Sequence, residues 1–141
     1  MDNAVVLGST NCGEDAFLRS FENCEYPNEK FKHADHIRLT WIYIRRLGVI
    51  GAEERISASI YKFAASLGHP EKYHKTITRA WFRLVYAAYC TTPDITDFAK
   101  FIASHSSLLD RTALLRFYSP ERLSSEEARQ RWLEPDLRPL P

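Results

Sequence analysis

Residues 28–47 read NEKFKHADHIRLTWIYIRRL, and a glycine follows them at position 48. Ile37 and Trp41 belong to an apolar series with the spacing of one face of an α-helix. Asn28 is a favourable N-cap, and Gly48 can adopt the left-handed backbone that ends many helices. The stretch therefore predicts one helix that begins at Asn28 and ends just before the glycine.

Helical periodicity also dominates the rest of the chain. No stretch alternates apolar and polar residues as a half-buried strand does, and five glycines in 141 residues are few for a protein built from tight β-turns. We therefore predict an all-α fold, a compact up-down bundle of about five to six helices. Beyond the first helix, the pattern predicts helices over residues 52–67 and 70–89, another from the break at 92–94 to about residue 104, and two short ones after Asp110 and Ser124.

The two ends of the chain differ from this middle region. Residues 1–27 form an N-terminal segment in which Phe17 and Phe21 indicate a short helix. Residues 28–134 make up the helical bundle domain. Residues 135–141 contain three prolines, so we expect an extended C-terminal arm with polyproline character.

The charge balance argues against several classes of partner. Nineteen Lys and Arg residues against eighteen Asp and Glu residues leave a net charge of +1, whereas nucleic acids and anionic membranes are usually met by a clustered excess of positive charge. No apolar run approaches the roughly 20 residues that span a bilayer. The three cysteines show no C-x-x-C spacing and predict no disulfide framework. We therefore expect a cytoplasmic protein whose partner is a small molecule, and the oligomeric state stays open.

The five histidines are the residues best suited to carry chemistry. His33 and His36 are three positions apart, so they are neighbours on one helix surface. His74 lies in the first turn of the third predicted helix, which runs parallel to the first in an up-down bundle, and His69 and His105 fall in loops at the same end. Three imidazoles with open positions for water or substrate are typical of a catalytic metal site. The expected ligands are His33, His36 and His74, and zinc or iron is the expected metal.

Aromatic residues near these histidines predict a pocket for a substrate. Trp41 and Trp81 each lie about two turns further along a helix than a histidine, where they would form the floor of the pocket. Tyr43 would line its wall. Asp35 lies between the two histidines of the first helix, and Thr78 lies early in the third. We expect both to contact the ligating histidines without binding the metal, since carboxylates commonly orient a metal-bound imidazole.

The sequence leaves three functions open. The first is a metal-dependent enzyme, an oxygenase or a hydrolase, in which His33, His36 and His74 bind a divalent ion that activates water or dioxygen against a small organic substrate. The second is an enzyme that uses the same histidines as general acid and base without a metal. The third is a non-enzymatic interaction or regulatory module in which the histidines fill and cap the bundle.

Two segments carry a resemblance to a known family. Residues 31–41 read FKHADHIRLTW, and residues 72–81 read KYHKTITRAW. They resemble the F-x-H-x-x-H and K-Y-H-x-T-x-T motifs of a family of small, largely uncharacterised bacterial helical proteins, and the likeness extends to residues 134–136. The resemblance implies a helical fold and histidines that belong to one unit. Lys75 departs from the family pattern, which has an acidic residue there.

Overall fold

Helices form the framework of the protein. The computed structural model describes the backbone of residues 3–141 and the side chains from residue 13 onward. No β-strand occurs within residues 3–141, so the predicted all-α fold is confirmed. The helices in this range are α1 Asn3–Glu22, α2 His33–Ser66, α3 Lys75–Thr91, α4 Phe98–Ser104, α5 Pro120–Leu123 and α6 Glu126–Gln130, with 3₁₀ turns at Asn28–Lys30, Pro70–Lys72, Ser106–Leu109 and Ala113–Arg116.

A glycine divides the longest helix, α2, into two arms. Gly48 has φ +79° and ψ 175°, a conformation that is open essentially to glycine alone, and it separates residues 33–47 from residues 49–66. The helix stop predicted at Gly48 is therefore confirmed. Gly68, with φ +82°, follows the end of the second arm, where the sequence also predicted a stop.

Helix α2 begins later than the sequence predicted. Residues 28–30 form a 3₁₀ turn instead of the first turn of an α-helix, and α2 begins at His33. The Asp35 carboxylate accepts a hydrogen bond from the backbone N–H of Lys32 at 3.0 Å, which satisfies a donor that no helical carbonyl reaches. Asp35 therefore fixes the start of the helix.

Helix α3 also begins later than expected. The sequence predicted its start at Pro70, but residues 70–72 form a 3₁₀ turn and the α-helix begins at Lys75. His74 is the N-cap, and its Nδ1 accepts a hydrogen bond from the backbone N–H of Ile77 at 3.1 Å. Histidine is not among the usual capping residues, which is why the sequence pattern does not reveal this start.

The core lies where both arms of α2 pack against α1 and α3. Helix α1, expected to be short, reaches back to Asn3 and contributes Phe17 and Phe21 to the core. The ring of Phe21 stacks on Phe63 of the second arm, with ring centroids 4.7 Å apart. The other large buried apolar side chains come from α2, α3, α4 and the C-terminal region, and include Ile37, Trp41, Ile44, Ile56, Trp81, Val85, Phe101, Leu114, Tyr118 and Leu140.

The short helices of the C-terminal half differ in part from the prediction. The helix expected after Asp110 is a 3₁₀ turn at residues 113–116. The helix expected after Ser124 is α6, but its cap is Ser125, whose hydroxyl accepts a hydrogen bond from a backbone N–H in the first turn. Helix α5, which begins at Pro120, is an additional helix that the sequence did not predict.

The C-terminal arm packs against the bundle. Residues 131–141 contain no helix. The buried hydroxyl of Tyr118 donates a hydrogen bond to the carbonyl of Leu133 at 2.7 Å, and the Asp136 carboxylate accepts one from the backbone N–H of Ser119 at 2.8 Å. The arm is therefore part of the folded domain.

The substitution Gly48→Ala tests the break in α2. A Cβ at this position meets no atom within 4 Å, so the expected loss of about 1–3 kcal/mol in the free energy of unfolding comes from backbone strain alone. Urea unfolding followed by circular dichroism measures the loss. Gly13→Ala is the matched control, because Gly13 is exposed on α1 without a left-handed backbone, and alanine favours a helix there. Equal destabilisation by both substitutions would contradict the strain argument.

Candidate functional site

The three histidines singled out from the sequence lie around two adjoining cavities. His33 and His36 line the larger one, a cleft of about 930 Å³ that we call the histidine cleft. His36 and His74 line the other, of about 710 Å³, which we call the second cavity. His36, Phe31 and Ile77 line both cavities and so form the wall between them. The remaining residues of the histidine cleft are Lys32, Ala34, Trp81, Leu109, Arg111, Thr112, Leu114, Leu115 and Leu123.

His33 is held by the backbone of a distant segment. Its Nε2 lies 2.9 Å from the carbonyl oxygen of Leu108, and because a carbonyl only accepts hydrogen bonds, Nε2 carries a proton. Trp81 packs against the same imidazole, with ring centroids 4.5 Å apart. Burial lowers the pKa of His33, and the positive charge of Arg111 lowers it further, while the bond to Leu108 acts in the opposite direction. His33 is therefore neutral at neutral pH, with its lone pair on Nδ1.

His74 is engaged at both ring nitrogens. Besides capping α3 through Nδ1, it donates a hydrogen bond from Nε2 to the carbonyl of Leu123 at 2.9 Å. Burial lowers the pKa of His74, and the neutral ring with its proton on Nε2 is the form that fits both bonds. In this arrangement neither nitrogen is available to a ligand.

His36 differs from the other two because its Nε2 is buried and has no hydrogen-bond partner. Burial lowers the pKa of His36 to about 4, and the neighbouring His33 adds to the effect. The imidazole is therefore neutral at neutral pH. A buried polar atom without a partner costs on the order of 1–3 kcal/mol. The Nε1 of Trp41 is also buried without a partner, but Trp41 lines neither cavity, so His36 is the group at the cavities that has an interaction still to gain.

The structure does not support the expected three-histidine metal site. From residue 13 to residue 141, no group of three or more His, Cys, Asp or Glu side chains could hold a metal ion. A metal ion binds the lone pair of a neutral ring nitrogen. At His33 and His74, Nε2 donates to a backbone carbonyl, and the Nδ1 lone pair of His74 accepts from a backbone amide. His33 keeps a free lone pair on Nδ1, but coordination by all three histidines would require a bond of His74 to break.

Of the two tryptophans predicted to floor the pocket, only Trp81 lines the histidine cleft. Trp41 is buried elsewhere in the core, where its ring stacks on Phe101 with centroids 5.5 Å apart and lies at the same distance from the ring of Phe98. The guanidinium of Arg45 lies 4.7 Å from the centre of the Trp41 ring. Trp41 therefore joins α2 to α4 and lies outside both cavities.

Tyr43, predicted to line the pocket wall, links three helical segments instead. Its buried hydroxyl donates a hydrogen bond to the Glu22 carboxylate of α1 at 2.6 Å and lies 3.0 Å from the Ser59 hydroxyl of the second arm. Because the single phenolic proton goes to Glu22, Ser59 donates to Tyr43. Burial raises the pKa of Tyr43, and the bond to Glu22 raises it further, so the hydroxyl keeps its proton.

The remaining candidates lie outside the histidine cleft. Asp35 caps the start of α2, so its carboxylate serves a backbone N–H instead of an imidazole. Thr78 is buried and lines the second cavity, as His74 does. His69 pairs with a glutamate at the surface, and His105 forms a hydrogen bond with a threonine hydroxyl.

Sequence reasoning missed the residues that complete the histidine cleft. Leu108 and Leu123 act through their backbone carbonyls, 75 and 49 positions from the histidines that they bind. Arg111 and Leu115 line the cleft from the same irregular segment. A side-chain pattern cannot reveal a backbone acceptor, but the two Leu-Leu pairs in this segment are a signal that it packs on the bundle.

Comparison with known proteins identifies no relative. No family model, no curated protein and no solved structure matches the chain. The resemblance to the bacterial helical family therefore stays a prediction. Among the helices within residues 3–141, none combines the length and the hydrophobicity needed to cross a membrane.

The burial of His36 predicts a loss of stability in mild acid. In the unfolded chain His36 binds a proton near pH 6.5, but in the folded protein only near pH 4, so the unfolded state gains protons first as the pH falls. The free energy of unfolding is expected to fall across this window by on the order of 3 kcal/mol through His36 alone. His33 and His74, whose pKa values are also lowered, act in the same direction.

Comparing variants isolates the part due to His36. In His36→Leu, the pH dependence between pH 6.5 and pH 4 is expected to be shallower than in the unmodified protein, as measured by urea unfolding at each pH. Parallel curves for His36→Leu and the unmodified protein would show that His36 does not titrate as a buried group.

Proposed function

We propose that this protein binds a small organic molecule in the histidine cleft and that the bound molecule supplies the missing hydrogen-bond partner of His36. The observation that carries this proposal is the buried Nε2 of His36, which has no partner although the residue lines two cavities. A ligand that pairs with this nitrogen removes the free-energy cost of leaving it unpaired, and this gain favours binding.

The composition of the cleft supports this function. Small-molecule sites in proteins are typically concave, span roughly 300–1,000 Å³, and are lined by apolar side chains with a few placed polar groups. The histidine cleft, at about 930 Å³, falls within this range. Its apolar lining consists of Phe31, Ala34, Ile77, Trp81, Leu109, Leu114, Leu115 and Leu123. The molecule that fits is therefore mainly apolar and carries at least one group able to hydrogen-bond.

Acid–base catalysis on the bound molecule is a second function that the geometry favours. The Leu108 carbonyl holds the Nε2–H of His33, which leaves the basic lone pair on Nδ1 and orients the ring as a catalytic histidine is oriented by its partner. His36, with a pKa of about 4, exchanges no proton near neutral pH. In such an enzyme His33 would be the base, and His36 would hold the substrate by a neutral hydrogen bond.

Filling the cleft tests the proposed function. Leu115 lies at the exposed edge of the cleft, so Leu115→Trp is expected to occupy it and to reduce binding at least tenfold, by steric exclusion. The measurement uses ¹⁵N-labelled protein and a library of small acidic, basic and neutral organic fragments. For fragments that bind, we expect chemical-shift changes at the imidazoles of His33 and His36 and at the indole of Trp81.

Leu137→Trp is the matched control for this experiment. Leu137 is also exposed and lines neither cavity, so the same substitution there should leave fragment binding unchanged. The proposal fails if no fragment shifts the three ring signals, or if Leu115→Trp binds the same fragments as tightly as the control.

The metal-dependent enzyme has a direct test. Because both ring nitrogens of His74 are bound to the backbone, we expect less than one Zn²⁺ or Fe²⁺ per chain in untagged protein, measured by elemental analysis and by titration with each metal. One metal per chain, together with large shifts of all three imidazole signals on its removal, would show that His74 gives up a backbone partner for a metal. That result would overturn the site described here in favour of metal catalysis.

A further inference from the structure

The charged residues of the histidine cleft all have the same sign. Lys32 and Arg111 line it, both exposed to solvent, and no Asp or Glu does. Among the side chains that the structure describes, neither cation forms an ion pair. The carboxylate next to Arg111 in the chain, Asp110, accepts hydrogen bonds from Thr112 and lies 3.9 Å from the guanidinium of Arg116. Within residues 13–141, the two cations at the cleft therefore have no protein anion paired with them.

The apolar and the charged parts of the cleft are separated by depth. Trp81 and Leu114 are buried, whereas Lys32 and Arg111 are exposed, so the interior is apolar and the positive charge lies at the opening. A cation at a solvent-exposed edge keeps most of its hydration and binds an anion without the large desolvation cost of a buried pair. This arrangement suits a molecule with an apolar body and one anionic end.

Resting on the proposed function, we infer that the ligand of the histidine cleft is an organic monocarboxylate whose apolar body packs against Trp81 and Leu114 and whose carboxylate binds Arg111 and Lys32. A further polar group on the body of this ligand is then the partner of the buried Nε2 of His36. Arginine matches the planar geometry of a carboxylate and can form two parallel hydrogen bonds with it, and lysine adds a second positive charge. A neutral molecule of the same shape gains the apolar contacts alone. A cationic molecule of the same shape is repelled by the positive charges of Arg111 and Lys32.

Binding of the carboxylate is expected to change the pKa of His33. The positive charge of Arg111 lowers the pKa of His33, whereas Asp110 raises it, and the imidazole of His36 lies nearby in its neutral form. A carboxylate bound at Arg111 offsets the positive charge there. The pKa of His33 is therefore expected to rise when a carboxylate binds and to stay unchanged, or to fall through further burial, when a neutral molecule binds.

Four probes that differ in one feature at a time test the inference. Octanoate, octanol and octylammonium share an apolar chain and differ in charge, and acetate has the carboxylate without the chain. Isothermal titration calorimetry is expected to show octanoate binding at least tenfold more tightly than octanol or octylammonium, and acetate binding more weakly than octanoate. An NMR titration of the full chain, with each probe, follows the pKa of His33.

A substitution at Arg111 tests whether the carboxylate of the ligand binds there. Arg111→Gln is expected to weaken octanoate binding about tenfold, to leave octanol binding unchanged and to abolish the octanoate-induced rise in the pKa of His33. Arg138→Gln is the matched control, since it removes the same charge from an exposed position that lines neither cavity and should have none of these effects.

The outcomes separate the two proposals. If octanol binds the cleft as tightly as octanoate, or if Arg111→Gln leaves octanoate binding unchanged, the carboxylate inference is overturned while small-molecule binding stands. If neutral fragments bind the cleft and fragments that carry a carboxylate do not, the inference is overturned in the same way. If no probe and no fragment shifts the signals of His33, His36 and Trp81, the proposed function fails and the inference fails with it.

Discussion

Two imidazole-to-carbonyl hydrogen bonds hold the irregular C-terminal half of the chain against the long helices. Residues 105–125 contain only short helical turns, so many of their carbonyl groups lack the partners that a regular helix supplies. His33 satisfies the carbonyl of Leu108, and His74 satisfies the carbonyl of Leu123. The walls of the histidine cleft come from both parts of the chain, and these two bonds hold the segments in place together with the buried side chains of Leu108, Leu114 and Tyr118.

This arrangement divides three chemically similar side chains between two tasks. His33 and His74 each donate a hydrogen bond from a ring N–H to a backbone carbonyl and so contribute to the stability of the fold. His36 makes no such contact and keeps its Nε2 unpaired between two cavities. A group left in this state reduces the stability of the protein, and sites that bind ligands are where such a cost is commonly found. In the proposed function, histidine thus supports the fold at His33 and His74 and recognises the ligand at His36.

Local features of the chain could be predicted from its sequence, and contacts between distant segments could not. Gly48 ends a helical arm because its own backbone requires it, and the apolar spacing of the helices depends only on helical geometry. Trp41 and Trp81 each follow a histidine by about two helical turns, yet only Trp81 lines the cleft. The spacing gives the position of a residue along its helix, but it does not give the segment against which that side of the helix packs. The tautomers of His33 and His74 depend on hydrogen bonds to the carbonyls of Leu108 and Leu123. These carbonyls lie in a segment whose sequence has no helical periodicity, so the sequence does not predict the bonds.

His33 and His74 respond differently to a second ring proton. Both imidazolium ions still donate Nε2–H to their carbonyls, so both links persist in acid. At His74 the proton enters on Nδ1, which then faces the N–H of Ile77, and two donors cannot cap a helix. Acid therefore removes the side-chain cap of α3 while the link between His74 and Leu123 stays. Since Ile77 lies in the wall between the two cavities, the backbone N–H that loses its partner belongs to that wall.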